Sequence, residues 1–161
     1  MDQLDLLRSY RCPDYEAFPS VPLYKDQVLV FLNQCLAPLW PEGETPLTSA
    51  MINNYVKLKV LSPPEHKKYS RDQVVCLYLI LLFKQVLTME EIRTLLALEF
   101  PAGQVAQGYR VFARLLEQEL NQLEQPVLPE AAEHTLMTGV TRAFVCRRYA
   151  SVLLSQHTLP E

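Results

Sequence analysis

The sequence predicts an all-α fold with an α-helical C-terminal extension. The chain has 4 glycines but 12 prolines in 161 residues, a balance typical of helices joined at stiff, proline-marked turns. Apolar residues recur at helical spacing along most of the chain, and a small strand-like wing is indicated only at residues 60–69. Since 49% of the residues are hydrophobic, the chain can also bury a core.

Three segments are predicted along the chain. Residues 1–22 form an extended arm, because Pro13, Pro19 and Pro22 interrupt any helix and the aromatic residues between them can lie over the core. Residues 23–100 form the main domain, whose first helix starts at the proline of residue 22 and ends near Pro38. Residues 101–161, after the Pro101-Ala102-Gly103 joint, form a C-terminal helical hairpin.

Residues 48–98 carry the strongest organisation. Thr48 or Ser49 caps a helix over residues 48–59, with Ile52, Tyr55 and Val56 at inward positions. The outward positions hold amides and ammonium groups, namely Asn53, Asn54, Lys57 and Lys59. Ser62-Pro63-Pro64 ends this helix, and Ser70 with Gln73 resembles a capping box for a second helix over residues 71–86. That helix is apolar nearly all round, as a central helix would be, and Thr88 caps a further short helix.

The last third of the sequence predicts two longer helices. An apolar stripe from Val105 to Leu123 indicates one helix of about twenty residues, and a second runs over residues 130–155. The two helices either pack as a hairpin on the domain or form a dimer coil. Packing as a hairpin is favoured, with a homodimer interface built from part of it.

Charge is distributed unevenly. The whole chain has a net charge of −3, yet residues 53–71 hold five lysines and arginines against Glu65 alone. A basic island on an acidic body is typical of a module that faces DNA, although a solvated surface gives the same pattern.

Other functional classes find little support in the sequence. The four cysteines (Cys12, Cys35, Cys76 and Cys146) lie far apart and without metal-ligand spacing, which predicts reduced thiols in a cytoplasmic protein without a metal or other cofactor. The most apolar run, residues 74–83, is half as long as a membrane span. The three histidines are remote from one another and catalytic motifs are missing, so we expect no enzyme activity.

Several short motifs resemble the core of MerR-type winged helix-turn-helix regulators. Tyr55 matches a tyrosine of the reading helix, and Val60-Leu61-x-Pro63 matches the exit from that helix. Lys67-Lys68-Tyr69-Ser70 is similar to the end of the wing, and the stretch 87–92 to the start of the helix that follows. The resemblance implies a MerR-like winged helix-turn-helix with a short wing, which binds double-stranded DNA.

The chain is also similar to an uncharacterised family of small bacterial proteins, mostly from Firmicutes. The shared features are the start Leu23-Tyr24-Lys25-Asp26-Gln27-Val28, the core MINNYVK at residues 51–57 and the segment Lys67-Lys68-Tyr69. The similarity spans roughly residues 18–100. It implies a bacterial, cytoplasmic protein and no established activity.

These observations lead to the hypothesis of a small DNA-binding transcriptional regulator that reads duplex DNA with residues 48–59 and 65–71. Asn53, Asn54 and Lys57 would contact bases, whereas Lys59, His66, Lys67, Lys68 and Arg71 would contact phosphates. Tyr55 and Tyr69 would support the two elements. The alternative is a protein-interaction adaptor that kept the winged-helix scaffold and lost DNA binding. A small-molecule effector is compatible with the first reading, but its identity is not specified by any residue.

Overall fold

The structure is a computed structural model that describes residue 7, residues 9–122 and, beyond them, residues 142, 143, 146, 147, 150, 153, 154, 156, 157 and 159. Its helices are α1 (Lys25–Leu36), α2 (Ser49–Lys57), α3 (Arg71–Phe83), α4 (Met89–Glu99) and α5 (Val105–Asn121). Its strands are β1 (Leu23–Tyr24) and β2 (Lys68–Tyr69), and two short 3-10 turns lie at Tyr15–Ala17 and Ala37–Leu39. The predominantly helical fold confirms the predicted class at this level. In the described part of the chain, every helix is too short or too polar to cross a membrane.

Helix α3 is the centre of the fold. Seven of its residues are buried, namely Val74, Val75, Leu77, Tyr78, Leu79, Ile80 and Leu81. Because these residues lie on all sides of the helix, α3 must be covered from several directions, and it packs against α1, α4 and α5. Burying a large apolar side chain contributes about 1.5–3 kcal/mol, and α3 buries more residues than any other described helix.

The capping signals at α3 and α4 are confirmed. The Ser70 hydroxyl accepts a hydrogen bond from the Gln73 N–H at 3.3 Å, and the Ser70 N–H donates to Gln73 Oε1 at 2.9 Å. Thr88 and Glu91 form the same reciprocal pair at the start of α4. Helix α3 ends at Phe83 rather than at residue 86, because the N–H groups of Gln85 and Val86 bond three residues back, to the carbonyls of Leu82 and Phe83, as in a turn. The Leu87 side chain that follows is buried.

The start of α1 differs from the prediction. Residues 23 and 24 are extended rather than helical, because they form β1 and pair antiparallel with β2, Leu23 opposite Tyr69 and Tyr24 opposite Lys68. The helix therefore begins at Lys25, where the Tyr24 N–H donates to Gln27 Oε1 at 2.9 Å. A two-stranded sheet thus joins the chain before α1 to the chain before α3.

A single side chain holds the connection between α1 and α2. The Asn33 side chain donates to the Leu47 carbonyl at 3.0 Å and accepts from the Leu47 N–H at 2.8 Å. Both backbone groups of Leu47 are satisfied, and the Leu47 side chain is buried. This amide clamp fixes the chain just before Thr48, whose hydroxyl accepts from the Met51 N–H and caps α2.

The N-terminal segment is tied to the core through rings. Phe18 is fully buried and packs edge-on against Tyr78 and Tyr109, with ring centroids 5.7 and 5.3 Å away. The Tyr109 hydroxyl donates to the Pro13 carbonyl at 2.6 Å, and the hydroxyls of Tyr10 and Tyr78 share a hydrogen bond. One continuous cluster of buried side chains therefore runs through residues 18–109, across the predicted boundaries at 22 and 100, which stay predictions.

Most of the predicted helix over residues 130–155 lies outside the described residues, as does its pairing with the preceding helix. Arg147 is described, and its guanidinium forms an ion pair with Glu91 of α4 at 3.0 Å. The predicted homodimer stays a prediction.

Gly108 in α5 provides a test of how closely the helices approach. A Cβ atom at this position would lie 2.3 Å from the Glu99 carbonyl oxygen and 2.7 Å from Phe100 Cδ1. Gly108→Ala should therefore lower the free energy of unfolding by about 1–3 kcal/mol, although alanine is the better helix former by about 1 kcal/mol. Urea denaturation measures the change, with the exposed Gln107→Ala as the matched control. An equal or greater stability of Gly108→Ala would contradict the close approach of α5 to the end of α4.

The buried tyrosines predict a loss of stability at alkaline pH. Burial raises the pKa of Tyr10, Tyr78 and Tyr109 well above the ordinary value of 10.0. Above about pH 10 the unfolded chain loses these protons while the folded chain keeps them, so the unfolded state is favoured as pH rises. Their contribution is complete below about pH 9, and each tyrosine then costs about 1.4 kcal/mol per pH unit. Urea denaturation from pH 8 to 11 under reducing conditions measures the slope, which Tyr78→Phe should reduce by about one proton; an unchanged slope would refute this assignment.

Candidate nucleic-acid interface

The exposed face of α2 is polar, as the sequence indicates. Ile52 and Tyr55 are buried, whereas Asn53, Asn54 and Lys57 are exposed. Asn53 Oδ1 accepts a hydrogen bond of 2.6 Å from Lys25 Nζ at the start of α1. The amide nitrogen of Asn53 then remains as its donor toward a ligand.

The chain leaves α2 through a left-handed residue that is not glycine. Lys59 has a φ of 58°, and the N–H groups of Val60 and Leu61 both bond to the Tyr55 carbonyl. This position is normally glycine, because a side chain in the left-handed region costs about 1–2 kcal/mol. The ammonium group of Lys59 is exposed.

Residues 65–68, here called the basic turn, form a two-residue hairpin. The Glu65 N–H bonds to the Lys68 carbonyl at 3.0 Å, and the Lys68 N–H returns to the Glu65 carbonyl at 2.9 Å. The central residues, His66 and Lys67, have φ of 49° and 64°, the positive values of a type I′ turn. Such turns favour Asn-Gly. This chain instead places an exposed imidazole and an exposed ammonium group at two positions where Asn-Gly would cost less free energy.

The basic turn is held in place by contacts with α3 and with β1. Gln73 Nε2 donates to the carbonyls of Ser62 and Pro63 at 3.1 and 2.9 Å, which joins the chain before the turn to the first turn of α3. Tyr69 is 2% exposed, and Lys68 Nζ lies 4.9 Å from the centre of the Tyr24 ring. The tip of the basic turn therefore has a fixed position relative to α2.

Helix α2 and the basic turn share one concave surface. A cavity of about 560 Å³, here called the Asn53 surface, lies between them and the start of α1. Its lining residues are Tyr24, Lys25, Asp26, Asn53, Val56, Pro64, Lys67 and Tyr69. Two predicted contact residues, Asn53 and Lys67, are thus brought together, with Tyr69 between them as a supporting residue.

Lys25 was missed by the sequence reasoning. The signal that could have identified it is its position in the first turn of α1, where a positive charge is unfavourable next to the positive end of the helix dipole. Its hydrogen bond to Asn53 depends on the pairing of β1 with β2, which joins residues about 45 positions apart and follows from no local pattern.

Other predicted site residues lie elsewhere. Lys59, His66 and Lys68 line a larger, separate cavity, and Asn54 and Lys57 line neither. Arg71 is turned toward the N-terminal segment, where its Nε donates to the Phe18 carbonyl at 2.9 Å and its guanidinium lies 5.2 Å from the Tyr15 ring centre. Tyr55 is buried on the inner face of α2, and its hydroxyl accepts a hydrogen bond from Lys84 Nζ at 3.2 Å.

The thiols and acids show no arrangement for metal binding. Among the described residues, no group of three or more His, Cys, Asp or Glu side chains could hold a metal ion. All four cysteines are free thiols, and burial raises the pKa of Cys12 and Cys35 and brings that of Cys76 to about 12. Thiols with such raised pKa values are poor nucleophiles at neutral pH.

The strain in the basic turn predicts an unusual stabilising change. His66→Asn with Lys67→Gly supplies the residues that a type I′ turn favours, so the free energy of unfolding should rise by about 1 kcal/mol. His66→Val, a β-branched residue at a φ of 49°, should lower it by a similar amount. Urea denaturation measures both, and a double variant less stable than the native chain would show that the turn does not have this conformation.

The comparisons with known proteins place the chain in a family without assigning an activity. The model of a domain of unknown function (DUF1836) matches residues 13–112, which is more than half of the chain. Neither the curated proteins nor the solved structures contain a match. The matched range begins within the N-terminal segment and ends in α5, so it includes α2, the basic turn and the Asn53 surface. The chain belongs to the DUF1836 family.

Proposed function

We propose that this protein binds duplex DNA as a small transcriptional regulator, with α2 as the reading helix and the basic turn as a short wing, in a fold distantly similar to MerR-type regulators. The observation that carries the proposal is the basic turn. Its two central side chains, His66 and Lys67, are exposed at positions where the backbone favours Asn-Gly, and Lys67 lies on the Asn53 surface together with α2.

The polar face of α2 suits the major groove of B-DNA. Asn54 can bond bidentately to adenine, and Lys57 can donate to guanine or to a phosphate. Asn53 differs, because its oxygen already accepts a bond from Lys25, whereas both of its amide N–H donors remain available to a ligand. Asn53 is therefore matched to acceptors, such as the purine N7 atoms or a phosphate oxygen.

The lysines around this face supply the contacts to the backbone. Lys25 and Lys67 lie on the Asn53 surface, and Lys68 lies over the Tyr24 ring next to it. With Lys57, four cations would neutralise about four phosphates, which predicts a slope of log K against log salt of about −3 to −4. We assign Arg71 instead to the junction with the N-terminal segment, because its guanidinium is engaged by Phe18 and Tyr15.

Fluorescence anisotropy on mixed genomic duplex fragments across a salt series tests the proposal. The native chain should bind at micromolar concentration or tighter at low salt and weaken steeply as salt rises. The variant His66→Asn/Lys67→Gly, expected to fold at least as well, should bind about fivefold more weakly with a slope smaller by about 1.

The matched control is Arg114→Ala, which removes an exposed positive charge on α5 outside both cavities and should leave affinity and slope unchanged. Flat anisotropy at low salt, or equal losses in the turn variant and the control, would refute DNA binding by this surface. That result would favour the alternative hypothesis, a protein-interaction adaptor, and the next experiment would search for a protein partner.

A further inference from the structure

A second cavity adjoins the basic turn, and its lining shares no residue with the Asn53 surface. It has a volume of about 1150 Å³ and is lined by residues 59–63, 65, 66 and 68, by the start of α3, by α4 and by the turn at 101–103. Pockets for small molecules have volumes of about 300–1,000 Å³, so this cavity can hold an organic ligand with room for water.

Its lining combines an apolar wall with a basic rim. Leu61, Leu96 and Phe100 form the wall, each of them mostly buried. The rim carries the cations of Lys59, Lys68 and Arg93 and the imidazole of His66. Two acids also line the cavity, Glu65 and Asp72, so the three cations leave a surplus of one positive charge. Asp72 Oδ1 accepts a hydrogen bond of 2.6 Å from the Tyr15 hydroxyl. The lining thus offers apolar contact at one side and a surplus of positive charge at the other.

Two of the rim residues are held there by left-handed backbone. Lys59 and His66 have φ of 58° and 49°, where glycine or asparagine would cost less free energy. Backbone strain of this kind tends to occur where a side chain acts on a ligand. Both strained side chains lie on the same cavity, and both can bond an anion.

We propose that this cavity binds a small amphipathic organic anion, with its acidic group at Lys59, His66 and Arg93 and its apolar body against Leu96 and Phe100. The charge of the rim selects the anion, and the apolar wall selects a hydrocarbon or aromatic body over a bare inorganic ion. The inference does not rest on DNA binding, because the cavity can bind the anion whether or not α2 binds DNA.

The first probe is 1-anilinonaphthalene-8-sulfonate, an aromatic sulfonate whose fluorescence rises in apolar surroundings, titrated into the folded full-length chain. Decanoate should displace it, whereas decanol and decyltrimethylammonium, which have the same chain without a negative charge, should do so at least tenfold less well. Equal competition by the cationic and anionic compounds would overturn the proposal.

The decisive variant is Lys59→Gly. Glycine adopts a φ of 58° without strain, so this substitution removes the ammonium group while the fold is retained or stabilised. Affinity for decanoate should fall about tenfold, the loss expected for one charge-assisted hydrogen bond. The control is Arg114→Ala, which removes an exposed positive charge on α5 outside the cavity lining and should bind as the native chain does. Equal affinity of Lys59→Gly and the native chain, with thermal denaturation showing both folded, would overturn the assignment.

One rival occupant belongs to the chain itself, because Leu159 also lines this cavity. Backbone amide chemical shifts of Val60, Ala97 and Gly103 on addition of decanoate locate the bound anion, and shifts confined to these residues support the proposal. If the native chain binds no anion and Leu159→Ser does, the cavity belongs to the C-terminal residues and the proposal fails.

Discussion

The apolar surface of α3 determines how the rest of the chain must be arranged. An amphipathic helix needs cover on one side only, but α3 buries residues around most of its circumference and exposes little of itself. Helices α1, α4 and α5 supply the cover on separate sides, and the rings of residues 10–18 close the part that they leave open. Because α3 begins at Arg71, separated from the end of the basic turn at Lys68 by Tyr69 and Ser70, the same burial that stabilises the core also fixes where the turn ends.

The two ends of the segment between α2 and α3 are fixed by different sets of hydrogen bonds. At the start, the carbonyl of Tyr55 accepts two N–H groups and the left-handed Lys59 reverses the chain. At the end, the Gln73 N–H donates to the capping hydroxyl of Ser70, and the Gln73 side-chain amide donates to the carbonyls of Ser62 and Pro63. The segment from α2 to α3 contains three left-handed residues that are not glycine, namely Lys59, His66 and Lys67. A rigid, strained segment of this kind presents cations with little loss of conformational entropy on binding.

Local features of this fold could be predicted from the sequence, whereas features that join distant residues could not. The Ser70–Gln73 cap, the Thr48 cap, the buried face of α2 and the central position of α3 depend on residues within one or two turns of each other. The pairing of Leu23 with Tyr69, which shortened α1 at its start, depends on contacts across 46 positions in the chain. Long-range pairing of this kind also decided the candidate site. It brought Lys25 to Asn53, placed Lys59 and Lys67 on different cavities, and turned Arg71 toward Phe18.

The amide clamp of Asn33 on Leu47 separates the geometry of α2 from the sequence of the loop before it. The chain leaves the core after α1 and is fixed again at Leu47, while residues 41–45 between these points are all exposed. The loop-closure entropy of such a segment grows only slowly with its length. Residues 41–45 are therefore a place where an epitope, a fluorescent reporter or even a second domain could be spliced into the chain without turning α2 away from its present orientation.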